Sequence, residues 1–205
     1  MAPSASSSAA LLHLIPTRRA TYNKSRKGAQ RALNWPFALA SSAAKPSPST
    51  IHPDHLAAAG FHSTPTAEQP TRSTCFLCEV VVEEWAEGDQ PLEVHLELND
   101  QCGWAVLQRI LTTWTDGLRE KKEWKGAWGE RGEWWPKSDY MISAREASFE
   151  KGWPHEGEKG VPTKEEIAAA GWFFAPGRDG DSDDQCICPF CTRTVEGWEE
   201  GDDPV

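Results

Sequence analysis

The chain has 205 residues, enough for one or two domains, and a net charge of −10. The charge is uneven: residues 1–53 hold seven Lys or Arg and no acid, while the rest hold 14 basic and 31 acidic side chains, a balance of −17. Such an acidic body disfavours broad binding along a nucleic-acid backbone and suits partners that are themselves basic. Eleven tryptophans in a chain of low mean hydropathy, −0.59, imply a core of few, large side chains. Small domains short of core need staples, and six cysteines can supply them.

In chain order, residues 1–14 read as a disordered, Ser-rich tail. The basic, acid-free composition up to Leu33 is also that of a mitochondrial transit peptide, a minor alternative. "LLHLI" is too short for the apolar centre of a secretory signal, and no apolar run is long enough to span a membrane. A reducing compartment follows, where Cys-x2-Cys reads as metal ligation rather than disulfide.

Self-comparison shows an internal repeat. "HLAAAGFHS" at 55–63 recurs as "EIAAAGWFF" at 166–174, and "CFLCEVVVEEWAEGDQP" at 75–91 recurs as "CPFCTRTVEGWEEGDDP" at 188–204. Arg18-x-x-Thr21-Tyr22 answers Arg145-x-x-Ser148-Phe149, and Trp35-Pro36 answers Trp153-Pro154. Two modules are expected, at 15–105 and 142–205, separated by a helix and a Trp-, Lys- and Glu-rich linker over 106–141.

Thr163, Glu166 and Gly171 predict a short helix with a capping box and a glycine stop, and "HPDHLAAAG" repeats it up to Gly60. "FHS", "WFF" and the β-branched "EVVVEEW" predict strands. "PLEVHLEL" predicts a helix opened by Pro91. His95 is expected on it, with Cys102 about two turns further along the same side. "GWAVLQRILTTW" has the apolar spacing of an amphipathic helix.

The first module carries Cys75-x2-Cys78-x16-His95-x6-Cys102. Three thiolates and one neutral imidazole complete a tetrahedral Zn²⁺ site and leave no open position for water. Such a site holds shape and does no hydrolysis. The second module repeats the first pair as Cys188 and Cys191. Its histidine, by the constant offset, falls three positions past Val205, so this module is read as truncated inside its own metal site. Cys186 has Ser73 as its counterpart and reads as a non-ligand. His13, His52, His55, His62 and His155 read as surface or packing residues. No Walker loop, Gly-x-Ser-x-Gly or His-Glu-x-x-His motif is present, which argues against an enzyme.

Together these motifs resemble the baculoviral inhibitor-of-apoptosis repeat, and in detail the fungal survivin-like proteins that carry two such repeats. The resemblance covers residues 15–105 and 142–205. It implies an α+β fold: two small zinc-binding modules, each a three-stranded sheet flanked by short helices, the second incomplete. It implies a non-enzymatic subunit of the chromosomal passenger complex in the nucleus, at centromeres and on the spindle. Its partners would be the inner centromere protein, an Aurora-type kinase, and a histone tail carrying phosphothreonine, with no direct nucleic-acid or membrane contact. A groove for the tail's N-terminus would use Val82, Glu83, Trp85 and Asp89 in the first module. Val195, Glu196, Trp198 and Asp202 would serve in the second. Carboxylates suit the terminal ammonium, and a cation suits the phosphate. The family's cation position is Val80 in the first module and Arg193 in the second, and its phosphate-contacting histidine position is Leu98 in the first. The alternative is an apoptosis-inhibitor groove for Ala-leading N-termini or caspase-like peptidases. A ubiquitin-ligase reading needs a second cysteine–histidine cluster, which this sequence lacks.

Overall fold

The computed structural model describes residues 12–23, 27–37, 51–113, 135–177 and 182–205. The chain forms two compact units, Met1–Asp100 and Gln101–Val205. The expected tail lies outside the described residues up to position 11, and most of the expected linker, 114–134, lies outside them too.

The first unit opens with helix α1, Ile15–Tyr22. A 3₁₀ turn, Gly28–Leu33, and helix α2, Pro53–Ala58, follow. Strands β1 (Phe61–Ser63), β2 (Ser73–Cys75) and β3 (Val81–Val82) make an antiparallel sheet in that order. Helix α3, Pro91–Leu98, closes the unit. The second unit holds α4 (Gly103–Thr113), α5 (Asp139–Ser148) and α6 (Lys164–Ala170), then β4 (Phe173–Phe174), β5 (Cys186–Ile187) and β6 (Thr194–Val195) in a like sheet.

The capping box is as the sequence predicts: Thr163 accepts from the Glu166 backbone, Glu166 reaches back to Thr163, and Gly171 stops the helix at φ 112°. The first module builds its short helix differently. His52, not Thr, is the N-cap and accepts from the Asp54 backbone through Nδ1, while Gly60 turns the chain at φ 102°. "EVVVEEW" yields only two strand residues. The helices at 15–22 and 139–148 carry little apolar periodicity, because their buried faces include Arg18, Arg145 and Ser148.

Those two arginines hold each module together at one point. Arg18 Nε donates to the Ala57 carbonyl at 2.9 Å, and Arg145 Nε donates to the Ala168 carbonyl at 2.5 Å. Each carbonyl also accepts a backbone amide, from Gly60 or Gly171, so the buried guanidinium is a second donor to an oxygen at the helix end. Arg18 also donates to Leu12 and His13, and Arg145 to Pro136, anchoring the incoming chain. The Phe76 ring lies 4.4 Å from the Arg18 guanidinium, a cation–π contact.

The repeat extends to ring packing and register. Tyr22 meets Trp35 edge-on at 4.8 Å, and Phe149 meets Trp153 edge-on at 5.1 Å. Ser63 pairs with Ser73 and Ser73 with Val82; Phe174 pairs with Cys186 and Cys186 with Val195. The core of the second module gathers Phe149, Trp153, Ile167, Phe174, Cys186 and Trp198.

Within the second unit α4 packs on α5 at very short range. A Cβ at Gly103 would stand 2.4 Å from the Ala144 carbonyl oxygen and 2.5 Å from the Ser148 amide nitrogen. Both are backbone atoms and cannot swing aside. Gly103→Ala is expected to force the helices apart and destabilise the second unit by about 1–3 kcal/mol, the usual cost of overpacking. Denaturant unfolding checks this, with Thr112→Ala on the exposed face near neutral.

Candidate metal centre and groove

The first module brings Cys75, Cys78, His95 and Cys102 together, with one ligand atom from each lying within 4.8 Å of the others. Cys75 ends β2, and a tight turn follows it. The Cys75 amide donates to the Val80 carbonyl at 2.9 Å, and Glu79 takes a left-handed φ of 62°. His95 stands on the last turn of α3. Cys102 does not continue that helix as expected: α3 ends at Leu98, and the chain turns through residues 99–102 before α4. The turn, not a helix face, returns the last thiol to the cluster.

The imidazole is fully buried. Nδ1 donates to the Ala59 carbonyl at 2.7 Å, which leaves Nε2 facing the thiols, 3.3 Å from Cys78 Sγ. Phe61 packs on the ring at 4.8 Å. Tetrahedral Zn²⁺ with ordinary bond lengths places its donors about 3.5–3.8 Å apart. The donor chemistry and spacing therefore fit such an ion. Without metal, burial disfavours the charged ring, but hydrogen bonds to Cys75 and Cys78 and their charge override it and raise His95 to about 10. Metal must displace that proton, so affinity falls as pH falls.

The second module forms the same turn. The Cys188 amide donates to the Arg193 carbonyl at 3.0 Å, and Thr192 sits at φ 60°, 113 positions after Glu79. No disulfide involves any of the six cysteines. Cys186 is fully buried between β4 and β6, in the place of Ser73. The exchange extends to its neighbours. In the first module Tyr22 Oη and Trp85 Nε1 both donate to Ser73 Oγ, at 3.2 and 3.1 Å. In the second, Phe149 and Cys186 replace the two hydroxyls, and the Trp198 indole N–H has the Cys186 sulfur, a weak acceptor, in place of a hydroxyl. Burial pushes the Cys186 thiol well above its ordinary range.

The candidate groove residues divide by exposure. Val82, Trp85 and Trp198 are buried, and Val80 and Val195 half-buried. Glu83, Arg193, Glu196 and Asp202 are exposed, and Asp89 is intermediate. Asp89 Oδ2 accepts from the Ala86 amide at 2.8 Å, and Asp202 Oδ2 from the Glu199 amide at 2.9 Å. Each closes a turn; the N-cap of α3 is Gln90, which makes no side-chain cap. Leu98 is 53% exposed on α3.

One residue that sequence reasoning passed over is Asp184, where the first module has Thr71. Its carboxylate accepts from the Gly197 and Trp198 amides at 3.0 and 2.8 Å, from Ser182 Oγ, and contacts His155. The signal was its fixed place two residues before Cys186.

The description "BIR: Inhibitor of Apoptosis domain" belongs to a family model that matches residues 18–106 and 145–205. The chain belongs to this inhibitor-of-apoptosis repeat family. It is similar to "Chromosomal passenger complex protein bir1" of Schizosaccharomyces pombe, with 26% identity over 168 residues, 78% of this chain and 14% of that protein. It is 30% identical over 186 residues to "Baculoviral IAP repeat-containing protein 1" of Homo sapiens, covering 84% of this chain and 12% of that protein. "Baculoviral IAP repeat-containing protein 5" of Cavia porcellus matches 76 residues at 30% identity, 37% of this chain and 48% of that protein. The chain thus spans a small part of the first two relatives.

Two outcomes follow. Zinc titration of the 205-residue chain should give one tight site, abolished by Cys78→Ser and unchanged by Cys186→Ser; metal analysis after dialysis reads both. The second concerns acid. Burial pushes the Asp184 carboxyl up, but the Gly197 and Trp198 amides, Ser182 and His155 outweigh it and hold it at about 2, against an ordinary 3.8. A depressed carboxylate stabilises the fold above its unfolded pKa and loses that stability as pH falls through the folded one. The second unit should therefore lose about 2 kcal/mol between pH ~4 and ~2. Asp184→Asn should flatten that limb in a pH-dependent denaturation series.

Proposed function

We propose that the chain is a non-enzymatic, survivin-like adaptor of the chromosomal passenger complex. Structural Zn²⁺ at Cys75, Cys78, His95 and Cys102 holds the first module, and Cys188 and Cys191 supply half of an equivalent site in the second. The second module binds the N-terminus of a histone tail phosphorylated on threonine. Glu196 and Asp202 receive the terminal ammonium beside Val195, and Arg193 contacts the phosphate. The bound tail brings an Aurora-type kinase and the inner centromere protein to the centromere in dividing cells, in the nucleus and on the spindle. The observation that carries this reading is the similarity, across both modules, to the fission yeast protein named for that complex. The exposure of Arg193, Glu196 and Asp202 supports it. So does the strongly acidic body, which suits a basic tail.

The first module has Val80 where the second has Arg193, and so carries no cation for a phosphate at that position. Its Glu83 and Asp89 suit an unmodified N-terminus. That residue choice, with the similarity to the human repeat-containing protein, favours a second reading: a groove for Ala-leading N-termini or a caspase-like peptidase.

Isothermal titration of the chain with histone-tail peptides separates the two. The expected result is tighter binding of the threonine-phosphorylated peptide, with Arg193→Ala costing about tenfold, the worth of one charge-assisted hydrogen bond. Binding that ignores phosphate but needs a free N-terminal Ala establishes the second reading. No binding to either peptide overturns both.

A further inference from the structure

His155 stands between two carboxylates in the second module. Its Nδ1 lies 2.7 Å from Glu158 Oε2, and its Nε2 lies 3.2 Å from Asp184 Oδ2. A neutral imidazole has one N–H and one lone pair, so only the imidazolium can donate to both. Among the described residues, Glu158, from the same loop, and Asp184, from the connection between β4 and β5, are the charged groups that face the ring. Trp153 covers another side, edge-on at 5.2 Å. The two acids are not equivalent: the Glu158 side chain is 56% exposed and that of Asp184 only 8%.

Asp184 gives the ring its reach. The same carboxylate accepts the backbone N–H groups of Gly197 and Trp198. Those amides follow β6 and carry the segment that presents Glu196. A charge gained or lost at the ring changes the field on a carboxylate that fixes this segment. We propose that His155 is a positioning residue whose protonated ring latches segment Glu196–Trp198 through Asp184, and whose deprotonation slackens that segment.

The first module lacks such a latch. Two residues after its Trp35, in the place of His155, stands Phe37, which packs on Trp35 at 5.4 Å. In the place of Asp184 stands Thr71, which accepts one amide, from Trp85, at 3.2 Å. Neither side chain titrates. The second module has replaced an apolar and a neutral residue by a charge pair that acts on the same stretch of backbone.

The direction of the pH response follows. Burial alone would lower the ring's pKa, but the bonds to Glu158 and Asp184 outweigh it and raise it above the ordinary 6.5. A raised histidine stabilises its state below the unfolded pKa and loses that contribution as pH rises through the folded one. The latch is therefore fully closed in mildly acid solution and slackens through neutral pH and above.

The test uses backbone amide resonances of the full chain from about pH 5 to pH 9, the range in which histidine titrates. Gly197 and Trp198 should move together with the His155 ring, with a common midpoint above 6.5. Glu158→Gln should lower the midpoint and keep the three resonances linked. His155→Phe, which copies Phe37, should leave both amides flat; if that variant does not fold, His155→Gln keeps a polar ring substitute that does not titrate and serves the same purpose. Amides that stay still in the native chain, or that move equally without the histidine, overturn the proposal. No peptide is present in this experiment, so it does not depend on the groove reading and fails separately from it.

Discussion

The bond from His95 Nδ1 to the Ala59 carbonyl is the constraint from which the first module is built. It ties α3 to the end of α2, and it decides the imidazole's tautomer. With one nitrogen committed to a backbone carbonyl, the other must present its lone pair to the thiols. Ala59 offers that carbonyl because Gly60 turns the chain immediately afterwards. The ring is wedged against Phe61, which packs in turn on Trp85. A metal bound there joins the knuckle at β2, helix α3 and the turn at Cys102. It thus crosslinks segments that share few side chains large enough to make a core alone.

Each module adds a second tie, a buried guanidinium that donates to a carbonyl in the last turn of its short helix. Here the two copies agree closely, Arg18 to Ala57 and Arg145 to Ala168. Elsewhere they diverge in a concerted way. The Tyr22–Ser73–Trp85 polar cluster of one module becomes Phe149–Cys186–Trp198 in the other. Losing a single hydroxyl would strand a buried donor, whereas removing donor and acceptor together is close to neutral. The Trp198 N–H keeps only the polarisable Cys186 sulfur, a weak acceptor, where Trp85 has a hydroxyl.

Sequence reasoning reached the parts of this design that are local. Cys-x2-Cys with its spaced His and Cys, the Thr163–Glu166 box and the glycine stop each encode a few backbone angles within a few residues. Long-range pairing was not legible. Helices α1 and α5 hide their inward faces behind arginine and serine, so apolar periodicity passes them over. The two-residue strands β3 to β6 are set by register against neighbours rather than by propensity. Spacing alone cannot show that α3 ends at Leu98, so the sequence suggests a helix face for Cys102 where the structure has a turn. His155 reads as a surface or packing residue because both of its partners, one three residues away and one far along the chain, are brought to it by the fold.

The divergence of the two modules at Val80 and Arg193 has a backbone explanation. In each, the carbonyl of that residue accepts the amide of the first cysteine, and the residue before it carries the left-handed φ. The knuckle is thus satisfied by main-chain groups and by one strained angle, whatever side chain follows. Asp184 and Thr71 show the same economy: either can accept the amide of the tryptophan that closes the core. Positions whose structural duty is met by backbone, or by any acceptor, can change their side chain without cost to the frame. An apolar residue in one module and a cation in the other, or a neutral acceptor in one and a carboxylate bonded to a histidine in the other, therefore leave the common backbone knuckle and its closing turn unchanged.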